Sequence, residues 1–354
     1  MKLRTDPAER AAIDAEIDGA LQRIQHRSAR LGPHAVQLAD AIARAAGGGK
    51  RFRPALVVSA FRAFDGSVAA TPALYTVAAA FELLHTAFVV HDDVIDHDIE
   101  RRGIPNISGE FRELGRLLGA DAAGSTTLGD AAAILAGDLL LHEAVRMISL
   151  APLETALRTA LLELIDEAVF VSVAGELADV VNALSGDGAD TDAIMGATHD
   201  KTAVYSFGAP LGAGAALAGA TSIQAEALLE CGSSLGLAYQ LGDDLIGAFG
   251  THDQAGREPG GDLREAKRTP LVAMARDTAW WPEVNIALSQ AHTGPIAVRE
   301  AQRILDESGA RIGLEAVIGQ TLNRARTQAA TPVLPESARD LLRELADVLE
   351  ARLR

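Results

Sequence analysis

The sequence predicts an all-α protein. Alanine and leucine are abundant, apolar residues recur at helical spacing over long stretches, and runs of alternating Val, Ile and Thr are almost absent. The chain has 354 residues, 48% of them hydrophobic, enough for a sizeable core. No repeat or low-complexity linker divides it, so residues 1–354 read as a single large helical domain.

In chain order, the first helix covers residues 7–30, with an apolar face through Ile13, Ile17, Leu21 and Ile24, and Gly32 and Pro33 end it. A second helix runs from about His34 to Ala46 and stops at Gly47, Gly48 and Gly49. Lys50, Arg51, Phe52, Arg53 and Pro54 follow. Three glycines free the backbone to approach a ligand and the cations supply positive charge there, the plain alternative being a helix cap followed by a basic turn. A helix over 55–64 and a turn at Asp65 and Gly66 lead to a helix that starts near Thr71 and Pro72 and carries FELLHTAFVVHDDVIDHDIERRG, residues 81–103.

Residues 104–111 and 120–128 read as loops, and the small residues of Gly129–Leu141 suit a tight helix crossing. A helix from about Leu153 continues through Val180. The polar stretch 182–192 reads as a loop with capping residues for a helix that carries Lys201 and Thr202. Thr202 to Gln224 has no charge, but its Gly, Ala and Ser content and Pro210 favour packed core helices over a membrane span, so the protein is not expected to be an integral membrane protein. A helix over 222–248 ends on Tyr239, Gln240, Leu241, Gly242, Asp243 and Asp244. A long glycine-containing loop follows, then DLREAKRTP with Lys267 and Arg268, a candidate lid. Pro270 to Arg354 reads as several amphipathic helices, with Trp280 and Trp281 as packing residues.

The formal charge of -16 argues against nucleic acid as the main partner. The single cysteine, Cys231, leaves no intramolecular disulfide and reads as a core residue. The first twenty residues are charged throughout with no apolar segment, unlike a secretory signal, and a cytoplasmic location is expected.

The chemistry concentrates at Asp92, Asp93 and Asp96. On a helix, Asp92 and Asp96 lie one above the other, about 6 Å apart along the axis. Like charges at that spacing repel and call for a cation between them. Mg²⁺ suits such oxygen donors, since it takes one or two carboxylates and fills its other positions with water and phosphate oxygens. His91 and His97 flank the carboxylates and read as neighbours rather than ligands. Arg101 and Arg102 offer guanidinium forks that match phosphate oxygens, although acidic residues beside two arginines also describe an ordinary solvated helix end. The spacing to Asp243 and Asp244 lets two helices face each other across a central cavity, with carboxylates on both walls and Lys50, Arg53, Arg101, Arg102, Lys201 and Lys267 around them.

The set GGKRFRP, HDDVIDHDIERRG, KTAVYSFGAPL, YQLGDD and GDLREAKRTP, in this order, resembles the trans-isoprenyl diphosphate synthases over residues 40–271. The resemblance implies a helical bundle of the isoprenoid synthase type and a Mg²⁺-dependent prenyltransferase, a homodimer, joining isopentenyl diphosphate to dimethylallyl, geranyl or farnesyl diphosphate. It implies that Asp92 and Asp96, supported by Asp93, bind Mg²⁺ on the allylic diphosphate, and that Asp243 and Asp244 bind the remaining Mg²⁺. Arg101, Lys201 and Lys267 match cations for the allylic diphosphate. Lys50, Arg53, His85 and Arg102 match the isopentenyl diphosphate site, and Thr202 and Gln240 match polar residues near the reacting carbons. Phe88, one turn before Asp92, should limit the growing tail while Ala87 leaves a gap beside it. That favours a geranylgeranyl (C20) or farnesyl (C15) product, with plain core packing as the alternative.

The chain departs from the family pattern at Gly247, where a third aspartate is usual, at Gly256-Arg257 and Ala266-Lys267, and at Glu176, where Gln is frequent. The lost aspartate motivates a second expectation, a catalytically weak regulatory subunit that tunes an active homologue. A terpene cyclase is disfavoured, because its usual Asn/Ser/Glu motif is absent after residue 200.

Overall fold

The computed structural model describes residues 6–67, 72–101, 103–185, 189–251, 260–265 and 267–353. The described residues are almost entirely helical, as the sequence predicts. They comprise α1 (Pro7–Ser28), α2 (Pro33–Ala46), α3 (Phe52–Ala63), α4 (Leu74–Ile95), a two-residue hairpin of β1 (Glu100–Arg101) and β2 (Ile104–Pro105), α5 (Ile107–Leu117), α6 (Ala122–Leu150), α7 (Thr155–Leu184) and α8 (Thr191–Thr198). A π-helix (His199–Gly208) then leads into α9 (Ala209–Leu217) and α10 (Ser222–Phe249), followed by α11 (Gly261–Arg264), α12 (Pro270–Arg276), α13 (Trp281–Gln290), α14 (Pro295–Glu307), α15 (Ala310–Ala329) and α16 (Glu336–Arg352).

Contacts divide the chain into two compact units, Lys2–Leu164 with Ala213–Gly219, and Ile165–Gly212 with Ala220–Arg354. In the first, α4 is the central helix, packed against α1, α2, α3 and α6. Leu74, Val77, Phe81, Leu83, Leu84 and Ala87 are all buried, so the helix is apolar on every side, as a core helix must be. It is long and apolar enough to cross a membrane, but 67% of that window is buried within the protein. In the second unit α10 has the central place, packed against the π-helix, α12, α15 and α16. Cys231 is buried there, its thiol donating to the Ala325 carbonyl and pushed up to about 12 by burial.

Three expectations are corrected. Residues 104–111 are not one loop, since α5 starts at Ile107, where the Asn106 side chain accepts from the Gly109 amide and caps the first turn. Residues 120–128 likewise belong mostly to α6, capped by Asp121, whose carboxylate accepts from the Gly124 amide. Gly, Ser and Thr made these stretches read as turns, but tertiary packing overrides that weak preference. The third concerns Lys201 and Thr202, which do not continue α8 but lie in the π-helix, whose exit is marked by the Ala209 amide donating to Val204, five residues back.

Small residues set the closest approaches. A Cβ at Gly214 would lie 2.1 Å from the Val57 carbonyl oxygen and 2.9 Å from the Ala60 Cβ. Backbone cannot rotate away, so Gly214→Ala forces α9 off α3. We expect a loss of about 3 kcal/mol, the upper end for overpacking, read as a lowered urea midpoint with an unchanged m-value.

Candidate active site

The first acidic cluster forms where α4 ends. Asp92 and Asp93 sit in its last turn, where unpaired helix carbonyls add negative potential. Asp96 is the capping residue, and its amide still donates to the Asp92 carbonyl at 2.8 Å, so the predicted four-residue step survives the helix end. The two neighbouring aspartates have opposite circumstances. Asp93 is 4% exposed and accepts from Arg101 Nε at 3.1 Å and Nη2 at 2.8 Å. Burial raises its pKa, with the Arg101 hydrogen bonds opposing and the Asp92 charge adding to the rise. The Asp92 side chain is 30% exposed, with Arg101 Nη2 at 3.9 Å. His85 and Phe88 are half-buried on α4, and Ala87 is fully buried. His91 is held against α6, its Nε2 facing the Ile134 carbonyl at 3.2 Å and Asp138 at 3.5 Å.

In the same unit, Lys50 is exposed on the loop after the three glycines and Arg53 is buried in the first turn of α3. The predicted Arg102 lies outside the described residues.

The second cluster forms on α10. The Gln240 side-chain amide donates to Asp244 Oδ1 at 2.9 Å. Asp243 pairs with Arg352 of α16, whose guanidinium also lies 4.9 Å above the Tyr239 ring. Lys201 Nζ reaches Glu176 at 3.1 Å and Asp179 at 3.2 Å, both on α7. Thr202 is buried beside it in the π-helix, and Lys267 donates its amide to the Asp262 carbonyl and pairs with Glu265 at 3.5 Å.

Asp244 is pushed up to about 8, first by burial and then by the charges of Asp262, Asp243 and Asp179, with the Gln240 hydrogen bond opposing. In the metal-free protein the folded state therefore keeps a proton that the unfolded state gives up near 3.8. Stability falls as pH rises between these values, with a slope of up to about 1.4 kcal/mol per pH unit. We expect the melting temperature in chelator to drop from pH 5 to pH 9, Asp244→Asn to flatten the drop, and Mg²⁺ added at pH 7 to release protons.

Asp179 and Asp262 were missed as site residues in the sequence, and Arg352 gave no local signal at all. Glu176 and Asp179, three residues apart on a helix, were the readable hint of a lysine partner.

The donor set fits Mg²⁺. Every candidate ligand is a carboxylate, and two of them, Asp244 and Asp93, are held above their ordinary pKa by burial and by carboxylate neighbours, a condition a cation relieves. Among the described residues no three His, Cys, Asp or Glu side chains converge as a ligand group.

A family model described as polyprenyl synthetase matches residues 35–303. The octaprenyl diphosphate synthase of Escherichia coli (strain K12) is 35% identical over 230 residues, and the aligned part spans 64% of this chain and 62% of that protein, short of two thirds of its length. The geranylgeranyl diphosphate synthase of Mycobacterium tuberculosis is 31% identical over 304 residues, 85% of this chain and 79% of the relative. Among solved structures, geranylgeranyl pyrophosphate synthase from Corynebacterium glutamicum, complexed with isoprenyl diphosphate and magnesium, superposes with a TM-score of 0.88 at 26% identity, covering 99% of this chain and 100% of the other.

Proposed function

The chain belongs to the polyprenyl synthetase family, and from that premise we propose that it condenses isopentenyl diphosphate with an allylic diphosphate to lengthen a trans prenyl chain by one C5 unit. The observation that carries the reading is the repeated design of the two acidic clusters. Each stands on a long central helix, and each sets two aspartates side by side, a half-buried one, Asp92 or Asp243, and a neighbour whose pKa burial raises, Asp93 or Asp244.

Asp92, Asp96 and Asp243 would hold magnesium, with Asp93 and Asp244 in support. When bound, magnesium offsets the charge that builds on a departing diphosphate. Arg101, Lys201 and Lys267 bind the allylic diphosphate oxygens and stabilise them as the C–O bond breaks and its electron pair leaves with the diphosphate. Lys50, Arg53, His85 and Arg102 bind isopentenyl diphosphate so that its double bond lies against the allylic carbon. The double-bond electrons form the new C–C bond, and a proton passes to the released diphosphate. Thr202 and Gln240 orient the reacting ends. Glu176 and Asp179 hold the Lys201 ammonium in place.

The product is proposed to be C20 or C15, on the position of Phe88 one turn below Asp92. The similarity to an octaprenyl as well as a geranylgeranyl synthase leaves length to this chain's own residues. Phe88→Ala should shift products beyond C20. A homodimer is also proposed, supported by an apolar row on one face of α7, Phe170, Val173, Leu177, Val181 and Leu184, all exposed, with Phe170 at 73%.

The deciding assay incubates the protein with isopentenyl diphosphate and each of the C5, C10 and C15 primers, with Mg²⁺ or chelator, and weighs the products. A metal-dependent prenyl diphosphate supports the synthase. No consumption with any primer overturns it and favours the regulatory subunit.

A further inference from the structure

Helix α1 precedes the residues that the family model matches, which begin at 35, yet it is bound to the loop that carries Lys50. The connection is one carboxylate. Asp14 Oδ1 accepts from Arg51 Nε at 2.8 Å, and Asp14 Oδ2 accepts from Arg10 Nε at 2.9 Å. Each arginine then reaches the loop backbone. Arg51 Nη1 donates to the Ala46 carbonyl at 3.0 Å, just before the three glycines, and Arg10 Nη2 donates to the Gly49 carbonyl at 2.9 Å, at their end. Asp14 therefore brackets Gly47, Gly48 and Gly49 from both sides.

The loop needs such a bracket. Gly48 and Gly49 have φ of 69° and 79°, and Arg51 itself is left-handed at φ 50°, a costly state for a residue with a side chain. A cleft of about 400 Å³ opens beside it, lined by Asp14, Gln22, Gly47 and Arg51 among others. The Arg51 guanidinium is buried and also donates to Glu82 Oε1 at 3.3 Å, three residues before His85 on α4. Arg10 and Arg51 hold the Asp14 carboxyl below its ordinary value even though burial pulls it up.

We propose that Asp14 is a positioning residue for isopentenyl diphosphate, fixing the glycine loop through Arg10 and Arg51 so that Lys50 and Arg53 present their charges together. The inference rests on the proposed function for its choice of substrate. It places a determinant of affinity for the C5 donor outside the residues that the family model matches.

Direction separates this role from simple electrostatics. Asp14 is negative and the substrate is an anion, so at fixed geometry its removal tightens binding. A positioning role gives the opposite sign. In the full-length protein, Asp14→Ala is expected to raise KM for isopentenyl diphosphate about tenfold, the scale of one or two residues losing their order, with kcat and the allylic KM changed less than about twofold. Arg10→Met, at a half-buried position that leaves Arg51 paired, is expected to raise it about threefold and serves if Asp14→Ala does not fold. Amide exchange over Gly47–Lys50 should quicken in both variants. An unchanged or lowered KM for isopentenyl diphosphate overturns the proposal, as does a rise shared equally by the allylic substrate. If the parent protein consumes no isopentenyl diphosphate, the functional reading fails. Loop exchange and the binding of inorganic pyrophosphate then test Asp14 separately, and both unaltered in the variants would overturn its role.

Discussion

Asp92→Ala is expected to lower kcat by about a thousandfold with a melting temperature within about 2 °C of the parent, whereas its neighbour Asp93→Ala costs mainly stability. The two residues are adjacent and chemically identical, so the contrast comes from their surroundings. Asp92 is the less buried of the two, its side chain 30% exposed and 3.9 Å from the Arg101 guanidinium, so a metal-diphosphate can approach it. Asp93 is buried, and both its hydrogen bonds to Arg101 converge on one oxygen. Removing Asp93 leaves Arg101 without its close carboxylate. A fully buried pair broken in this way loses about 3–5 kcal/mol, but the Arg101 side chain is 44% exposed and water replaces part of the loss, so about 2 kcal/mol is expected. Single-turnover rates and urea midpoints for both variants check the partition. Equal rate losses with equal midpoints would refute it.

Gly175→Ala is expected to damage structure and turnover together. A Cβ at this position in α7 would stand 2.2 Å from the Lys201 amide nitrogen, 2.6 Å from the Asp200 carbonyl carbon and 2.8 Å from the Asp200 Cβ. Most of what it meets is backbone, so relief requires α7 and the π-helix to separate. The cost is about 1–3 kcal/mol, the range for overpacking. The same movement carries Lys201 away from Glu176 and Asp179, and a displacement near 1 Å at a group that positions substrate lowers turnover about a hundredfold. Lys201→Ala supplies the comparison, since it removes the cation and its two ion pairs but leaves the packing of α7 on the π-helix in place.

The helical class and the places of α1, α2, α4, α10 and the C-terminal helices were legible because their apolar residues repeat at helical spacing or run uninterrupted. The starts of α5 and α6 were not, because Gly, Ser and Thr there serve close packing, and a single sequence cannot tell a packing glycine from a turn glycine. The aspartates drew notice as acidic pairs on apolar helices, whereas the roles given to Lys201 and Gln240 came from the resemblance to the family alone. The grip of Arg352 on Asp243 and that of Asp14 on the glycine loop were hidden, since each joins residues far apart in the chain and neither carries a local signature.

The π-helix has a consequence for how this sequence can change in length. A π turn holds one residue more than the α turn it replaces, and each residue of an α-helix turns the chain by about 100°. Removing a residue between His199 and Gly208 would draw the segment towards ordinary α-helix, and the residues just before the deletion would rotate about the helix axis relative to α9. Lys201 and Thr202 would then point elsewhere, although every side chain that touches substrate was still encoded. The stretch is thus a phase element, where substitutions are graded in effect and a single deletion acts as a switch.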